Sequence, residues 1–311
     1  MTNFTSRKIV FFRKNYTPIF SHTVLNSSKK YLWKSKIRKC RFCDKTEAET
    51  TFKSISHSIS NFLGNNELIS FDECDKCNNF FSINYEKDLD NLTKVYRTIG
   101  FIKGKKKLPS YKTKNKDIRF EHNENGLHIT SKVNSSARTF SFNKKEVAFT
   151  LDYGSFIPTN AYRALLKMAL SITPPDELPF LSDIKRWLME PSGFRFNLNP
   201  QCIITTLLPG NIIATKPHLI LLKKTSNFKR LPTYIFQIRF GHVAMQIFMP
   251  TNKDLKERHS FYPLRLPTLD EKNIPFKMVS IEKENYASSE VVRDKKTQVS
   301  FIFDEVTIEK I

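Results

Sequence analysis

Two pairs of cysteines constrain how the first third of this chain can fold. Cys40 and Cys43 form the first pair, Cys74 and Cys77 form the second, and each pair encloses two residues. Two such knuckles closing one loop are typical of a tetrahedral thiolate site for Zn²⁺. A module of this size buries little apolar surface, and a structural metal contributes folding free energy on the order of 10 kcal/mol. We therefore expect a structural zinc that clamps the 30 residues between the pairs.

The charge of the chain favours polyanionic partners. Its 311 residues include 51 Lys and Arg against 30 Asp and Glu, a net charge of +21. Residues 1–120 hold 25 of these basic residues and 11 of the acidic ones, so the excess is concentrated around the cysteines. Such a field attracts nucleic acid. A generally basic protein from a lysine-rich proteome would show the same balance, and this alternative stays open.

Cysteine usage and hydropathy indicate a cellular compartment. The apolar run at residues 9–12 is too short for a signal peptide, and no stretch approaches the roughly 20 apolar residues of a membrane span. We expect no membrane partner and a reducing cytoplasm, where thiolates remain available to zinc. The fifth cysteine, Cys202, lies in a strand-like run and is expected to be a small core residue. Homo-oligomerisation is left open.

Two lysine-rich segments are candidates for binding a phosphate backbone. One belongs to the basic N-terminal segment, residues 1–39, where cations alternate with Tyr31 and Trp33. The other is a Gly- and Lys-rich linker that follows the cysteine module. The expected nucleic-acid-binding residues are Lys34, Lys36, Arg38, Lys105, Lys106 and Lys107. Alternatively, both are solvated segments, and the aromatics pack on the zinc module.

Residue patterns predict an α+β fold. Apolar spacing predicts helices over residues 85–100, 158–172 and 179–189, with Pro174 and Pro175 ending the second. Short strands alternate over residues 117–157, and Gly241 is expected to mark a bulge. Further strands are predicted over residues 202–208, 212–223, 233–249, 276–281 and 299–308.

The order of residues inside the clamp carries a resemblance to a known family. A strand-prone stretch ends at His57, a turn follows at residues 64–66, and Asn78 directly follows the last cysteine. This order resembles the HNH endonucleases of the ββα-metal type, and more closely their zinc-clamped subgroup with the pattern CxxC…H…LGN…CxxCN. The resemblance covers about residues 40–110. The matching stretches are Cys40-Arg-Phe-Cys43, His57-Ser-Ile-Ser, Leu63-Gly-Asn65 and Glu73-Cys-Asp-Lys-Cys-Asn78-Asn.

The resemblance implies a role for each of three side chains. His57 would be the general base, which suits an imidazole with an ordinary pKa of about 6.5. Asn65 would brace the loop, and Asn78 would bind a catalytic Mg²⁺ or Mn²⁺ separate from the zinc. The alternatives are a structural His57 and an Asn78 that caps the helix.

The chain departs from the family pattern in two ways. The middle Asn usually lies about nine residues before the last ligand, a register that falls near Ile69 and Ser70 here, and we assign Asn65 because it fills the LGN position. Ser56 stands where family members often carry Asp or Glu as a second metal ligand. We therefore expect the catalytic cation to rely on Asn78, waters and the substrate phosphate, with help from Glu73 or Asp72.

These observations predict a small zinc-bound ββα-metal nuclease module with its trailing helix and linker (residues 40–110), followed by a larger, β-rich α+β domain (residues 117–311) for target selection or regulation. The expected function is metal-dependent hydrolysis of phosphodiester bonds, with DNA preferred, and by analogy a role in bacterial restriction or phage defence. The main alternative is a non-catalytic zinc protein that binds nucleic acid. An interaction scaffold that uses zinc only for folding is a third possibility.

Overall fold

The computed structural model describes residues 4–105, 107–190, 201–209, 213–256, 261–268, 271, 274–275 and 278–305, with side chains from residue 7 onward. The fold is α+β, as the residue patterns predict. Within these ranges, no helix is both long enough and apolar enough to pass through a bilayer.

Short helices alternate with many strands. The helices are α1 (Phe4–Asn15), α2 (Asp75–Phe81), α3 (Lys87–Ile99), α4 (Pro158–Ile172), α5 (Ser182–Met189) and α6 (Asn252–Lys256). The strands are β1 (Tyr16–Thr23), β2 (Lys30–Leu32), β3 (Leu68–Ser70), β4 (Tyr111–Lys112), β5 (Ile118–Asn123), β6 (Gly126–Ser131), β7 (Arg138–Ser141), β8 (Glu146–Asp152), β9 (Cys202–Leu207), β10 (Ala214–Lys224), β11 (Tyr234–Gly241), β12 (Val243–Met249), β13 (Ser280–Asn285) and β14 (Lys296–Ile302). A π-helical turn, Ser82–Glu86, joins α2 to α3.

The largest sheet takes its first strand from the N-terminus. Its order is β1-β10-β11-β12-β9-β13, and every neighbouring pair is antiparallel. In the β1–β10 pair, Tyr16 lies opposite Lys224 and Thr23 lies opposite His218. The predicted division at residue 39 therefore needs correction, because the first 23 residues do not form a separate basic arm. Strand pairing places β1 in the sheet of the C-terminal region.

The predicted helix at residues 85–100 is the second half of a longer helical segment. The segment runs from Asp75 through the π turn to Ile99, and Gly100 follows it. A side chain at Gly100 would meet the backbone of Gly241, because a Cβ there would lie 2.6 Å from its Cα. Gly241 has φ of +52° and begins the tight turn between β11 and β12. The bulge predicted at Gly241 is thus a hairpin turn, and the long strand predicted over residues 233–249 is two strands.

Helix α4 occupies the centre of the molecule and has the predicted bounds, with Pro158 in its first turn. It is buried on nearly every side, as expected for a helix enclosed by other elements. Its apolar residues share one core with Phe42 and Phe81 of the cysteine module and Phe236 of the large sheet. The predicted boundary near residue 110 therefore does not separate two hydrophobic cores.

Two three-stranded antiparallel sheets and a parallel pair, β2-β3, complete the fold. One three-stranded sheet has the order β4-β5-β6 and the other β14-β8-β7. Both three-stranded sheets pack with Val95 of α3 around a smaller apolar cluster. The predicted strands at residues 202–208 and 212–223 correspond to β9 and β10. The last two predicted strands overlap β13 and β14, and residues 276–277 and 306–308 lie outside the described part of the chain.

Candidate metal centre and catalytic site

The four paired cysteines converge on one point. Their Sγ atoms all lie within 4.8 Å of one another, and those of Cys43 and Cys74 are 3.7 Å apart. A tetrahedral zinc with Zn–S bonds of about 2.3 Å separates its sulfurs by about 3.8 Å. The predicted ligands Cys40, Cys43, Cys74 and Cys77 are therefore positioned to bind one metal ion, and four thiolates at this spacing suit zinc.

The pKa values of the cysteine thiols depend on one another. Hydrogen bonding to Cys77 lowers the pKa of Cys40 to about 5, while the same bond and burial raise the pKa of Cys77. Burial raises the pKa of Cys43 to about 11. Because four neighbouring thiolates repel one another, a divalent cation is needed to hold them together, and its binding releases the shared protons.

Backbone geometry places each cysteine pair. The first knuckle turns sharply, with Asp44 at φ of +61° and its N–H donating to the Cys40 carbonyl at 2.9 Å. The second pair opens α2, in which Cys74 is the N-cap residue and Cys77 is buried. The Cys74 N–H also donates to the Cys40 sulfur at 3.5 Å, which ties the two knuckles together.

A buried salt bridge anchors the clamp to α4. The Arg41 guanidinium lies 2.8 Å from the Asp72 carboxylate, and its other arm donates to the Thr173 carbonyl at 3.1 Å. Asp72 was expected to help bind a catalytic cation. That expectation needs correction, because both Asp72 oxygens accept hydrogen bonds from Arg41.

The segment around His57 forms a single antiparallel bridge with β3, not a full strand, and precedes α2. His57 lies opposite Ile69, and the N–H of Ser58 donates to the Leu68 carbonyl at 3.0 Å. Ser56 is buried with 1% exposure. It therefore faces the interior instead of a solvent-reachable cation.

Asn65 has the hydrogen bonds of a loop brace. Its amide nitrogen donates to the carbonyls of Ile59 at 2.8 Å and Leu68 at 3.0 Å. Its amide oxygen accepts from the N–H groups of Glu67 at 3.1 Å and Leu68 at 2.8 Å. The side chain is fully buried, so all four bonds form away from water. Asn65 thus joins the end of the His57 segment to the start of β3.

The His57 imidazole is half-buried, and its ring has no hydrogen-bond partner among the described residues. Burial lowers its pKa below the ordinary histidine value. The positive charges of Lys167, Lys105 and Lys29 lower it further, and the negative charge of Glu86 opposes them. The ring is therefore mostly neutral at pH 7, with a proton on one nitrogen and the other able to accept one.

A buried ion pair, Lys167 and Glu73, contacts the His57 backbone. The Lys167 ammonium of α4 donates to the His57 carbonyl at 2.8 Å and lies 3.1 Å from the Glu73 carboxylate. The two side chains are 2% and 0% exposed. Burial raises the pKa of Glu73 to about 7, although Lys167 opposes that rise. Glu73 was also expected to help bind a catalytic cation, and its complete burial corrects that expectation.

Two charged residues near His57, Glu86 and Lys29, were missed by the sequence reasoning. Glu86 lies in the π turn, where one of its oxygens accepts a hydrogen bond from the Ser60 hydroxyl at 2.7 Å. Lys29 and Lys105 are exposed. Lys105 was assigned to phosphate binding without a link to His57. A π turn often marks a functional site, but the local sequence does not indicate which face Glu86 occupies.

Asn78 lies inside α2. Its N–H donates to the Cys74 carbonyl at 2.9 Å, and Cys74 is the N-cap residue. The alternative that Asn78 caps the helix is therefore wrong. The Asn78 carboxamide is half-buried and has no hydrogen-bond partner among the described residues. Its oxygen remains available to a ligand.

The proposed phosphate-binding residues differ in their surroundings. Lys34, Lys36, Lys105 and Lys107 are exposed. Arg38 instead lies between the rings of Phe52 and Phe71, 4.6 and 4.4 Å from their centroids, and donates to the Phe71 carbonyl. Its guanidinium therefore stabilises the zinc module. Lys106 lies outside the described residues.

Trp33 of the basic segment also has a structural role. Its indole N–H donates to the Ser171 carbonyl of α4 at 2.9 Å. The aromatic side chain thus ties the N-terminal segment to the central helix. The Arg41 guanidinium of the zinc module lies 5.8 Å from the Trp33 ring centroid, in line with the alternative in which the aromatics pack on that module.

Comparison with known proteins found no match to this chain among protein-family models, curated proteins or solved structures. The likeness to zinc-clamped HNH enzymes therefore depends on the residues themselves: the four cysteines in a metal-binding arrangement, the neutral His57, the Asn65 brace and the unpartnered Asn78.

Proposed function

We propose that the protein is a metal-dependent endonuclease that hydrolyses phosphodiester bonds in nucleic acid, with DNA as the preferred substrate. The observation that carries the proposal is the neutral imidazole of His57, which has no hydrogen-bond partner among the described residues and lies on a segment that Asn65 and Lys167 brace. Structural histidines usually form hydrogen bonds through the ring, whereas a general base must keep one nitrogen open. A role in restriction or phage defence is an analogy with similar modules.

Four residues take part in the proposed reaction. His57 takes a proton from the attacking water, whose oxygen forms a bond to phosphorus as the bond to the leaving sugar oxygen breaks. Glu86 stabilises the positive charge that develops on the ring. Lys29 and Lys105 attract the phosphate backbone to the same edge of the module.

The donor set suits a hard divalent cation. Asn78 offers an amide oxygen, and Mg²⁺ typically binds few protein ligands while keeping several waters. When bound, Mg²⁺ or Mn²⁺ supplies positive charge for the scissile phosphate and the leaving oxygen. The four thiolates belong to the separate structural site, which has no open position when filled by zinc.

The rival function, nucleic-acid binding without catalysis, also has an observation in its favour. Ser56 replaces an acidic ligand and is buried, while Asp72 and Glu73 are both engaged with cationic side chains. The missing acidic ligand and the two engaged carboxylates would suit a site that has lost its cation. The two functions differ in whether the zinc-loaded protein turns over a substrate.

Cleavage of supercoiled plasmid DNA tests the proposal. The zinc-loaded protein should nick the plasmid when Mg²⁺ or Mn²⁺ is added and leave it intact without them. Replacing Asn78 with alanine should slow nicking by about 100-fold or more, because the cation loses its protein ligand. Excess Mn²⁺ should restore part of the rate. Tight plasmid binding without nicking at any concentration of either ion would favour the rival function.

Asn79 offers a matched control for that variant. It is the next residue of α2, is exposed, and has no side-chain hydrogen bond among the described residues. Asn79→Ala should therefore nick at the parental rate. Equal losses in both variants would indicate damage to the helix instead of loss of a ligand.

The pH dependence of nicking should follow the neutral form of His57. Burial and neighbouring lysines place its pKa below the ordinary value of about 6.5, so the ring stays neutral as pH falls to 7. We expect a level rate at and above pH 7 and a decline only below about pH 6.5, because protonation removes the base. Single-turnover rates from pH 5 to 8.5, with circular dichroism at each pH, measure this. A decline that begins above pH 7 would contradict a lowered pKa.

A further inference from the structure

A cavity lies on the large sheet and shares no lining residue with the candidate nuclease site. It measures about 570 Å³ and is enclosed by α1, the strands β1, β10 and β11, and the loop at residues 266–268. Cavities that hold small molecules typically measure about 300–1,000 Å³. Its size alone therefore permits a ligand as large as a nucleotide.

The sheet register divides the cavity floor into a polar and an apolar end. Alternate residues of β10 face the cavity, as the two-residue period of a strand requires. At one end, His218 lies between Thr23 of β1 and Arg239 of β11. Further along, Ile220 and Leu222 form an apolar surface. One side of the floor is therefore polar and basic, and the other suits an apolar or aromatic group.

The charged side chains that the structure describes in the cavity lining are all cationic. Arg13, Lys216 and Arg239 contribute three cations, and no carboxylate is among the lining residues that the structure describes. Arg13 and Lys216 are exposed, so they sit where a ligand would enter. A cavity with this lining favours an anion.

One wall holds a buried polar group without a partner. Thr268 is 2% exposed, lines the cavity, and its hydroxyl has no hydrogen-bond partner among the described residues. Gln237 uses its amide nitrogen to hold the Leu266 carbonyl at 2.8 Å, and no described donor reaches its amide oxygen. The Thr268 hydroxyl has almost no accessible surface, so the amide oxygen of Gln237 is the polar group of this wall that suits a hydrogen bond to the body of a ligand.

The wall itself is preformed. The buried Arg265 guanidinium forms two hydrogen bonds with Glu271, at 2.6 and 2.8 Å, and Glu271 also accepts from the Thr268 N–H at 2.8 Å. The Leu266 N–H donates to the Gln246 side chain at 2.7 Å. These bonds hold the loop in place before any ligand binds, which reduces the entropy cost of binding.

From this lining we infer that the cavity binds a nucleoside phosphate, with the phosphate at Arg13, Lys216 and Arg239 and the ring system over Ile220, Leu222 and Phe12. The cations select the phosphate. The apolar floor accepts a flat base, and the amide oxygen of Gln237 offers a hydrogen bond to its edge. A fatty acid would use the cations and the apolar floor but would leave that amide oxygen unsatisfied.

Calorimetric titration of the full-length, zinc-loaded protein tests this inference. The probes are AMP, ATP, GMP and GTP, with inorganic phosphate and dodecanoate for comparison. At least one nucleotide should bind with Kd below about 1 mM and more tightly than phosphate or dodecanoate. Lys216→Gln and Arg13→Gln should each weaken binding by about tenfold through loss of a charge-assisted contact. Lys296→Gln, an exposed charge change on β14, should not weaken it.

A variant that fills the cavity gives an independent test. Ile220→Trp should abolish binding by occupying the apolar end, and thermal unfolding would confirm that the variant remains folded. Should that variant fail to fold, the two glutamine variants decide the question. The inference is wrong if no nucleotide binds below about 1 mM, if dodecanoate binds more tightly, or if both glutamine variants bind as the parent does. Because binding is measured directly, the result does not depend on nuclease activity.

Discussion

Replacing His57 with alanine should slow phosphodiester cleavage by roughly 10²–10⁴-fold, the usual contribution of a positioned general base. The expected loss is in the chemical step, because the imidazole makes no hydrogen bond that would hold the fold together among the described residues. Plasmid binding should stay close to the parental level, since Lys29 and Lys105 are unchanged. Single-turnover nicking rates and a binding titration, measured on the same preparations, separate the two effects.

The fold of this variant should be intact. Lys167 contacts the backbone carbonyl of His57, and that contact does not require the imidazole. His128 offers a matched control, because it is an exposed histidine on β6 whose side chain has no hydrogen bond or ion pair with any residue that the structure describes. His128→Ala should nick as the parent does. Parental rates in His57→Ala would remove His57 as the base and with it the main support for the nuclease proposal.

Removing the metal should unfold much more than the loop that it clamps. Structural zinc contributes on the order of 10 kcal/mol, which is comparable with the total stability of a typical protein, about 5–15 kcal/mol. Phe42 and Phe81 of the clamped module belong to the same core as α4 and the large sheet. We therefore expect a chelator, or Cys77→Ser, to abolish the cooperative thermal transition of the module and to expose part of the central core.

Metal analysis and thermal unfolding measure this effect. The parent should contain one zinc per chain, and Cys77→Ser should contain much less. Cys202→Ala is the matched control, since Cys202 is buried in β9 and is not among the four clustered cysteines. It should retain the zinc and lose little stability. A Cys77→Ser protein with parental zinc content and melting temperature would contradict the metal centre.

Some local patterns were sufficient to predict structure. The spacing of the cysteine pairs predicted their convergence, because a two-residue knuckle is compatible with few backbone geometries. Helix α4 was predicted with its observed bounds, since Pro158 starts it favourably and Pro174 and Pro175 prevent its continuation. The short helix opened by the second cysteine pair was also predicted, because it is specified by residues close to one another in the chain, whereas the strand expected to end at His57 is only a single bridge.

Other features depend on residues that are distant in sequence. Lys167 reaches the His57 carbonyl across 110 residues, and no local pattern relates them. The expectation that Asp72 and Glu73 would face a cation failed for the same reason. Both side chains point toward cationic partners, Arg41 and Lys167, and only packing against α4 places them there.

The sequence by itself determined the chemistry that is available: four thiolates at metal-binding spacing, one histidine and one asparagine in a family-like order, and a basic surface. The tertiary structure decided which of these groups are usable. It placed β1 in the C-terminal sheet, buried Glu73 and placed Arg38 between two aromatic rings, and within the described part of the chain it left the side chains of His57 and Asn78 without hydrogen-bond partners. Ligand identity follows from residue type and local spacing, whereas burial, pKa and access to solvent arise from contacts between segments that the chain brings together only on folding.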